Sequence, residues 1–188
     1  MIFKLSCFRC VVVLQMKTYV YNLADMQLIE CLDTVSNPLG LCAVSTDRDS
    51  CVLATLFSER GHVRIRDYNK DECGEVTIPC HDGPIGSMTM SRDGRVLATA
   101  VEKGMFIRIW DIQSFRPLQV LKRDEQSIIC DLTFGSFSKS DNGQLIVCSE
   151  EQEVLVYDIL TRNHRMEEDG SSLMQVFNKK KQTLYQCK

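Results

Sequence analysis

Short runs of alternating apolar and polar residues recur along this chain. Their period is two rather than 3.6, which predicts strands. Four of the runs end in Asp or Asn: Thr18-Tyr19-Val20-Tyr21-Asn22, Val63-Arg64-Ile65-Arg66-Asp67, Ile107-Arg108-Ile109-Trp110-Asp111 and Leu155-Val156-Tyr157-Asp158. Their last residues stand 45, 44 and 47 positions apart. Ahead of the last three lies a second apolar run (52–55, 96–100, 145–148), and ahead of that a third (41–45, 85–91, 128–134). Outer strands follow at 75–78 and 117–121. Asp93-Gly94 and Asn142-Gly143 stand just before second strands, where a tight hairpin needs positive φ; Asp82-Gly83 lies between units. Residues 10–23 read as two strands about a turn at Gln15-Met16-Lys17.

Four short strands per unit at a period near 45, with a literal Trp110-Asp111, form the signature of WD-repeat propeller blades. The fold class is therefore all-β, a WD-repeat β-propeller of about 3.5 four-stranded blades. The expected division is an incomplete first blade at 1–35, blades at 36–80, 81–122 and 123–160, and a polar tail at 161–188 that is a possible start of a further blade. Propellers close with about 4–8 blades, so 188 residues are expected to form an open arc of a larger ring. Its free strand edges would be sites for pairing or aggregation.

Composition adds limits. With 44% hydrophobic and 25% charged residues the chain is of the ordinary globular kind. A formal net charge of −3 gives no global field to collect nucleic acid, and no nucleic-acid partner is expected. No apolar stretch approaches the 18 residues of a membrane-spanning helix, and Cys10–Leu14 is too short for a signal-peptide core. Ten cysteines, mostly inside apolar runs, behave as small buried hydrophobes, so reduced thiols and a cytoplasmic location are expected. Cys42, Cys51, Cys130 and Cys148 in particular are expected to be buried and unpaired. Cys7 and Cys10 form a lone CxxC with no second CxxC at zinc-ribbon spacing; Cys73, Cys80 and His81 could complete a tetrad on paper, but reduced thiols are the better reading and no metal is expected.

Chemistry is sparse. No GxGxxG, GxxxxGK[ST], HExxH or GxSxG motif occurs. Of three histidines, His81 at the start of a blade suits a structural hydrogen-bond network, and His62 follows Gly61 in a turn. No base–nucleophile spacing emerges, so neither an enzyme nor a cofactor is expected. Lys179, Lys180 and Lys181 read as a solvated hairpin loop in the tail.

A narrower resemblance lies in Val11–Asn22, in Asn37-Pro38-Leu39-Gly40-Leu41-Cys42-Ala43, and in Leu97–Gly104 followed by Ile107-Arg108-Ile109. These strings resemble the PROPPIN family, the WIPI-type phosphoinositide-binding propellers of autophagy, over about residues 10–159. Family members are seven-bladed, which implies that blades on both sides are lacking here. The resemblance implies a scaffold that binds phosphatidylinositol 3-phosphate, or its 3,5-bisphosphate, and recruits autophagosome-formation machinery. Its location would be cytoplasmic, with peripheral association to preautophagosomal or endosomal membranes. Partners would be phosphoinositide-containing membranes and autophagy-related proteins.

The family's paired arginines, which point to opposite sides and each anchor one headgroup, correspond to Lys122 and Arg123. Gly104 and Arg108 match residues lining the first headgroup site, and Ser149 matches one in the next blade. Departures are visible too. Lys122 lacks the bidentate fork that suits phosphate. Asp124 and Glu125 bring the local charge over 122–125 to zero. Near an anionic membrane each basic charge is worth roughly 1 kcal/mol, so this weakens binding. Val101 and Met105 replace hydroxyl donors, while Glu150, Glu151 and Glu153 add negative charge. The alternative is a protein-interaction propeller with lost or weak lipid binding. In that case Lys122 and Arg123 would sit in a solvated inter-blade loop, dispensable for stability.

Overall fold

Residues 1–6, 8–69, 74–123, 128–135, 142–150 and 154–160 are described by a computed structural model. Among them the regular elements are strands, and no helix is long and apolar enough to cross a membrane. Each strand joins its neighbour in antiparallel fashion through a short connection, as period-two sequence with local turn residues requires.

The first sheet has the order β1 (Ile2–Leu5), β2 (Arg9–Val13), β3 (Lys17–Asn22), β4 (Leu28–Asp33). The second runs β5 (Cys42–Val44), β6 (Val52–Leu56), β7 (His62–Asp67), β8 (Glu75–Pro79). The third runs β9 (Ile85–Met90), β10 (Val96–Val101), β11 (Phe106–Asp111), β12 (Arg116–Lys122). The described part of the fourth is β13 (Ile129–Phe134), β14 (Asn142–Ser149), β15 (Val154–Leu160). The leading strands lie against one another in turn, β1 on β5, β5 on β9 and β9 on β13, which makes them the inner strands of an arc of blades.

Each gap between sheets is filled by alternate side chains of the facing strands. Val11, Val13, Val20, Leu32, Cys42 and Leu53 lie between the first and second sheets. Between the second and third lie Ala54, Val63, Ile65, Ile78, Met88, Leu97 and Trp110. Ile107, Ile109, Leu121, Leu132, Leu145, Val147 and Ile159 fill the gap to the fourth. Fully burying such a side chain stabilises by about 1.5–3 kcal/mol, so the sheets depend on these contacts. Polar groups also tie the first gap. Arg66 reaches Glu30 with two donors and Tyr68 donates to the same carboxylate at 2.9 Å.

Four expectations are corrected. The first sheet is not an incomplete blade, because Ile2–Leu5 pairs with β2 as a fourth strand. Lys4 interrupts the apolar run there, but the strand is held by its ladder to β2 while all four of its residues stay exposed. Asn142 and Gly143 do not form a turn; the ladder continues through them to Leu160 and Ile159. Cys130 is exposed, because a bulge between Ile129 and Asp131 turns it outward. Cys148 is half-buried, its neighbours Val147 and Ser149 taking the inward positions. The turn at Asp93-Gly94 is as expected, with Gly94 at φ 76°. Cys7, Cys73 and the tail with Lys179–Lys181 lie outside the described residues.

Burial divides the thiols. It pushes Cys42 up to about 11 and Cys80 up to about 12. Among the described cysteines, brief treatment of the native protein with iodoacetamide at pH 8 is expected to label Cys31 and Cys130 first. Cys42, Cys51 and Cys80 should react only after denaturation. Peptide mass analysis reads the order, and prompt native labelling of Cys80 would contradict the packing.

Candidate functional site

The third sheet has a neighbour on either side, so its alternation decides where each functional side chain goes. Trp110 and Arg108 are two residues apart on β11 and share one face; Trp110 packs toward the second sheet. Ile107 and Ile109 point the other way, toward the fourth.

Beside Trp110 the polar groups are closed into a network. The indole N–H donates to Thr99 Oγ1 at 3.1 Å, and His81 Nε2 lies 3.0 Å from the same oxygen. His81 is held from behind, because Gly61 O accepts the backbone N–H groups of both Cys80 and His81 at 3.0 Å. Burial, then the charge of Arg108, pushes the His81 imidazole down to about 4, so it is neutral at ordinary pH. Arg108 Nη1 donates to the Cys80 carbonyl, which fixes the guanidinium near the histidine.

Next to this network is a cavity of about 480 Å³. The connection at His81–Pro84 forms one wall, and the end of β10, the following turn and the start of β11 form the other. Arg108 and Gly104 both line it, as do Val101 and Met105, so the positions without hydroxyls make an apolar wall. Gly104 leaves no room for a side chain: a Cβ there would collide with the Val101 side chain. Asp82, Glu102 and Lys103 bring charge to the rim, and all three are exposed. A planar guanidinium with one donor committed to a carbonyl retains donors suited to a two-oxygen acceptor such as phosphate.

Of the five residues singled out by sequence, the cavity unites Gly104 and Arg108. Lys122 is the cross-strand partner of Phe106, so it belongs to the same face as Phe106 and Arg108, and it is exposed. Arg123 follows it on the opposite face. It is only 2% exposed, its backbone N–H donates to Met105 O at 2.6 Å, and Nη1 donates to Gly104 O at 3.3 Å. Ser149 is buried and, like Leu145 and Val147, faces the third sheet. The expectation of a solvated loop is therefore corrected: Lys122 ends β12, and Arg123 is packed against the backbone of the 101–105 turn. Removing its side chain would leave a buried carbonyl without its donor, so Arg123 is not dispensable. Asp124, Glu125, Glu151 and Glu153 lie outside the described residues.

Sequence reasoning had given His81 a purely structural role and had not selected Lys103 or Phe106. His81 sits beside a turn signal, Lys103 inside the Glu102-Lys103-Gly104 string and Phe106 just after it, so all three are visible as residues but not as walls of one space.

An all-β arc with a His–Thr–Trp network between blades defines a WD-repeat propeller. The PROPPIN family model matches residues 1–179, and the chain belongs to that family. It is 32% identical to WD repeat domain phosphoinositide-interacting protein 1 of Xenopus laevis, over 87% of this chain and 37% of that protein. Identity to autophagy-related protein 18e of Arabidopsis thaliana is 32%, over 82% of this chain and 42% of the relative. In the complex of KlAtg21 with the coiled coil of AgAtg16, a chain matches with a TM-score of 0.68 at 18% identity, covering 85% of this chain and 52% of the other. That likeness bears on the fold. The chain thus spans about two fifths of the length of the curated relatives it matches.

The neutral His81 makes stability depend on pH in one window. Its imidazole titrates near 4 when folded and near 6.5 when unfolded, so between those values the unfolded chain holds the extra proton. Stability is full above about pH 6.5, falls as pH drops toward 4, and loses on the order of 3 kcal/mol in all. Thermal melts at pH 7.5, 5.5 and 4.5 are expected to show a steeper loss for the wild type than for His81→Gln. Parallel slopes would refute the buried neutral histidine.

Proposed function

We propose that this chain supplies the phosphoinositide-reading part of an autophagy scaffold, binding phosphatidylinositol 3-phosphate, or its 3,5-bisphosphate, at a membrane surface. The observation that carries this reading is the cavity in which Arg108 and Gly104 meet, with Lys122 on the same face of the sheet. The names of the relatives agree with it: one is a phosphoinositide-interacting protein and another is autophagy-related. The work assigned to the chain is binding, not catalysis. Arg108 would take the phosphate from within the cavity and Lys122 would attract the anionic surface from its rim. Association would be peripheral and cytoplasmic, on preautophagosomal or endosomal membranes.

Protein partners belong to the same reading. KlAtg21 is seen with the coiled coil of AgAtg16, which supports autophagy-related proteins as the partners of this arc.

Flotation with phosphatidylcholine vesicles, with and without phosphatidylinositol 3-phosphate, tests the proposal. Lys122→Ala is expected to lower lipid-dependent association about five-fold, the equivalent of roughly 1 kcal/mol for one basic charge. Lys122→Arg should raise association by restoring a two-pronged donor. Both variants should melt with the wild type, since the Lys122 side chain is exposed. If the wild type floats equally without the lipid, and Lys122→Arg does the same, the membrane role is wrong and the protein-interaction reading replaces it.

A further inference from the structure

Among the described residues, the large apolar side chains that stand exposed fall within 1–39, with one exception. Phe106 is 42% exposed in the third sheet, well away from that cluster. A single exposed apolar side chain ordinarily needs no explanation. The position of this one is what matters. Phe106 begins β11 and lines the cavity. Its cross-strand partner is Lys122, and Lys103 stands exposed in the turn that precedes it. An apolar ring between two long cationic side chains, at the mouth of a space that holds Arg108, is the pattern of a surface that meets both headgroups and hydrocarbon.

We infer that Phe106 is a membrane-inserting residue: it enters the boundary between headgroups and acyl chains while Lys103 and Lys122 lie on the anionic surface around it. The inference rests on the cavity's binding the inositol phosphate. A ring seated in the cavity is tethered to its diacylglycerol through a phosphate that must leave by the mouth, so the bilayer lies against the rim. Charge alone gives this rim little hold. Among the described residues, Lys103 and Arg108 of the lining and Lys122 beside Phe106 are opposed by Asp82 and Glu102, a formal excess of one positive charge. Apolar insertion supplies what this near-balance lacks. The geometry also fixes orientation, with the mouth of the cavity and the β11–β12 end of the third sheet against the membrane.

The test separates this contact from headgroup recognition. Flotation uses phosphatidylcholine vesicles containing phosphatidylinositol 3-phosphate, and calorimetric titration uses soluble inositol 1,3-bisphosphate. Phe106→Ser is expected to reduce vesicle association about ten-fold or more beyond whatever affinity it loses for the soluble headgroup, the scale of exposing a buried aromatic ring. Phe106→Trp should retain flotation, and brominated lipid should quench the added indole; Trp110 is buried and provides the unquenched reference. Flotation of Phe106→Ser at the wild-type level, with headgroup binding intact, would overturn the insertion and leave the cavity reading standing. An unquenched indole at position 106 on bound vesicles would overturn it as well. If the wild type binds neither soluble headgroup nor vesicle, the cavity reading itself fails and the insertion fails with it.

Discussion

The third sheet is pressed between two others, and its pleat therefore sorts every side chain into one of two gaps. Trp110 and Leu97 take the gap to the second sheet, whereas Ile107, Ile109 and Leu121 take the gap to the fourth. A slip of one residue would exchange the two sets and expose both. The hydrogen bonds of Thr99 to Trp110 and His81 work against such a slip, because they are made on one face only. The same constraint sends Lys122 and Arg123 in opposite directions. Lys122 emerges beside the cavity and Arg123 folds onto the Gly104 carbonyl. The two basic residues thus differ in kind: one is a surface charge, and the other holds the turn that shapes the cavity wall.

What the sequence made legible was whatever is local. Period-two runs and Asp-Gly turns are properties of a few adjacent residues, so sequence alone offers units at 36–80 and 81–122, and the structure has four strands each within 42–79 and 85–122. Ile2–Leu5 has no alternation of polarity and buries none of its side chains, so its pairing to β2 leaves no pattern in the sequence. The bulge at Ile129 to Asp131 inverts Cys130 and leaves no mark in composition. Its cause lies in the ladder to β14.

The site was half legible for a similar reason. Arg108 and Gly104 lie four residues apart in a string specific enough to suggest a family, and the cavity does contain both. The burial of Arg123 depends on a carbonyl 19 positions away, which no reading of Lys122-Arg123 as a dipeptide could supply. His81 and Asp82 come from the connection between sheets, and Val101 to Phe106 from a turn within one. Their meeting is a product of blade packing, visible only in three dimensions.

The electrostatics of the cavity follow from the order of causes acting on His81. Burial is the larger effect and Arg108 the smaller, and both favour the neutral imidazole. An anion bound to Arg108 would cancel the smaller effect and leave the larger one in place, so the ring would remain neutral near pH 7 with the cavity filled. His81 would then contribute no charge to holding a phosphate. Its part is to keep Thr99 and Trp110 in register, which holds β10 and β11 where Arg108 can reach the Cys80 carbonyl. Attraction for a polyanion must come from Arg108, Lys103 and Lys122, against Asp82 and Glu102. With so small an excess of positive charge among the described residues, discrimination among anions on the proposed reading would rest on the shape of the cavity and on what its rim can touch, more than on the field it projects.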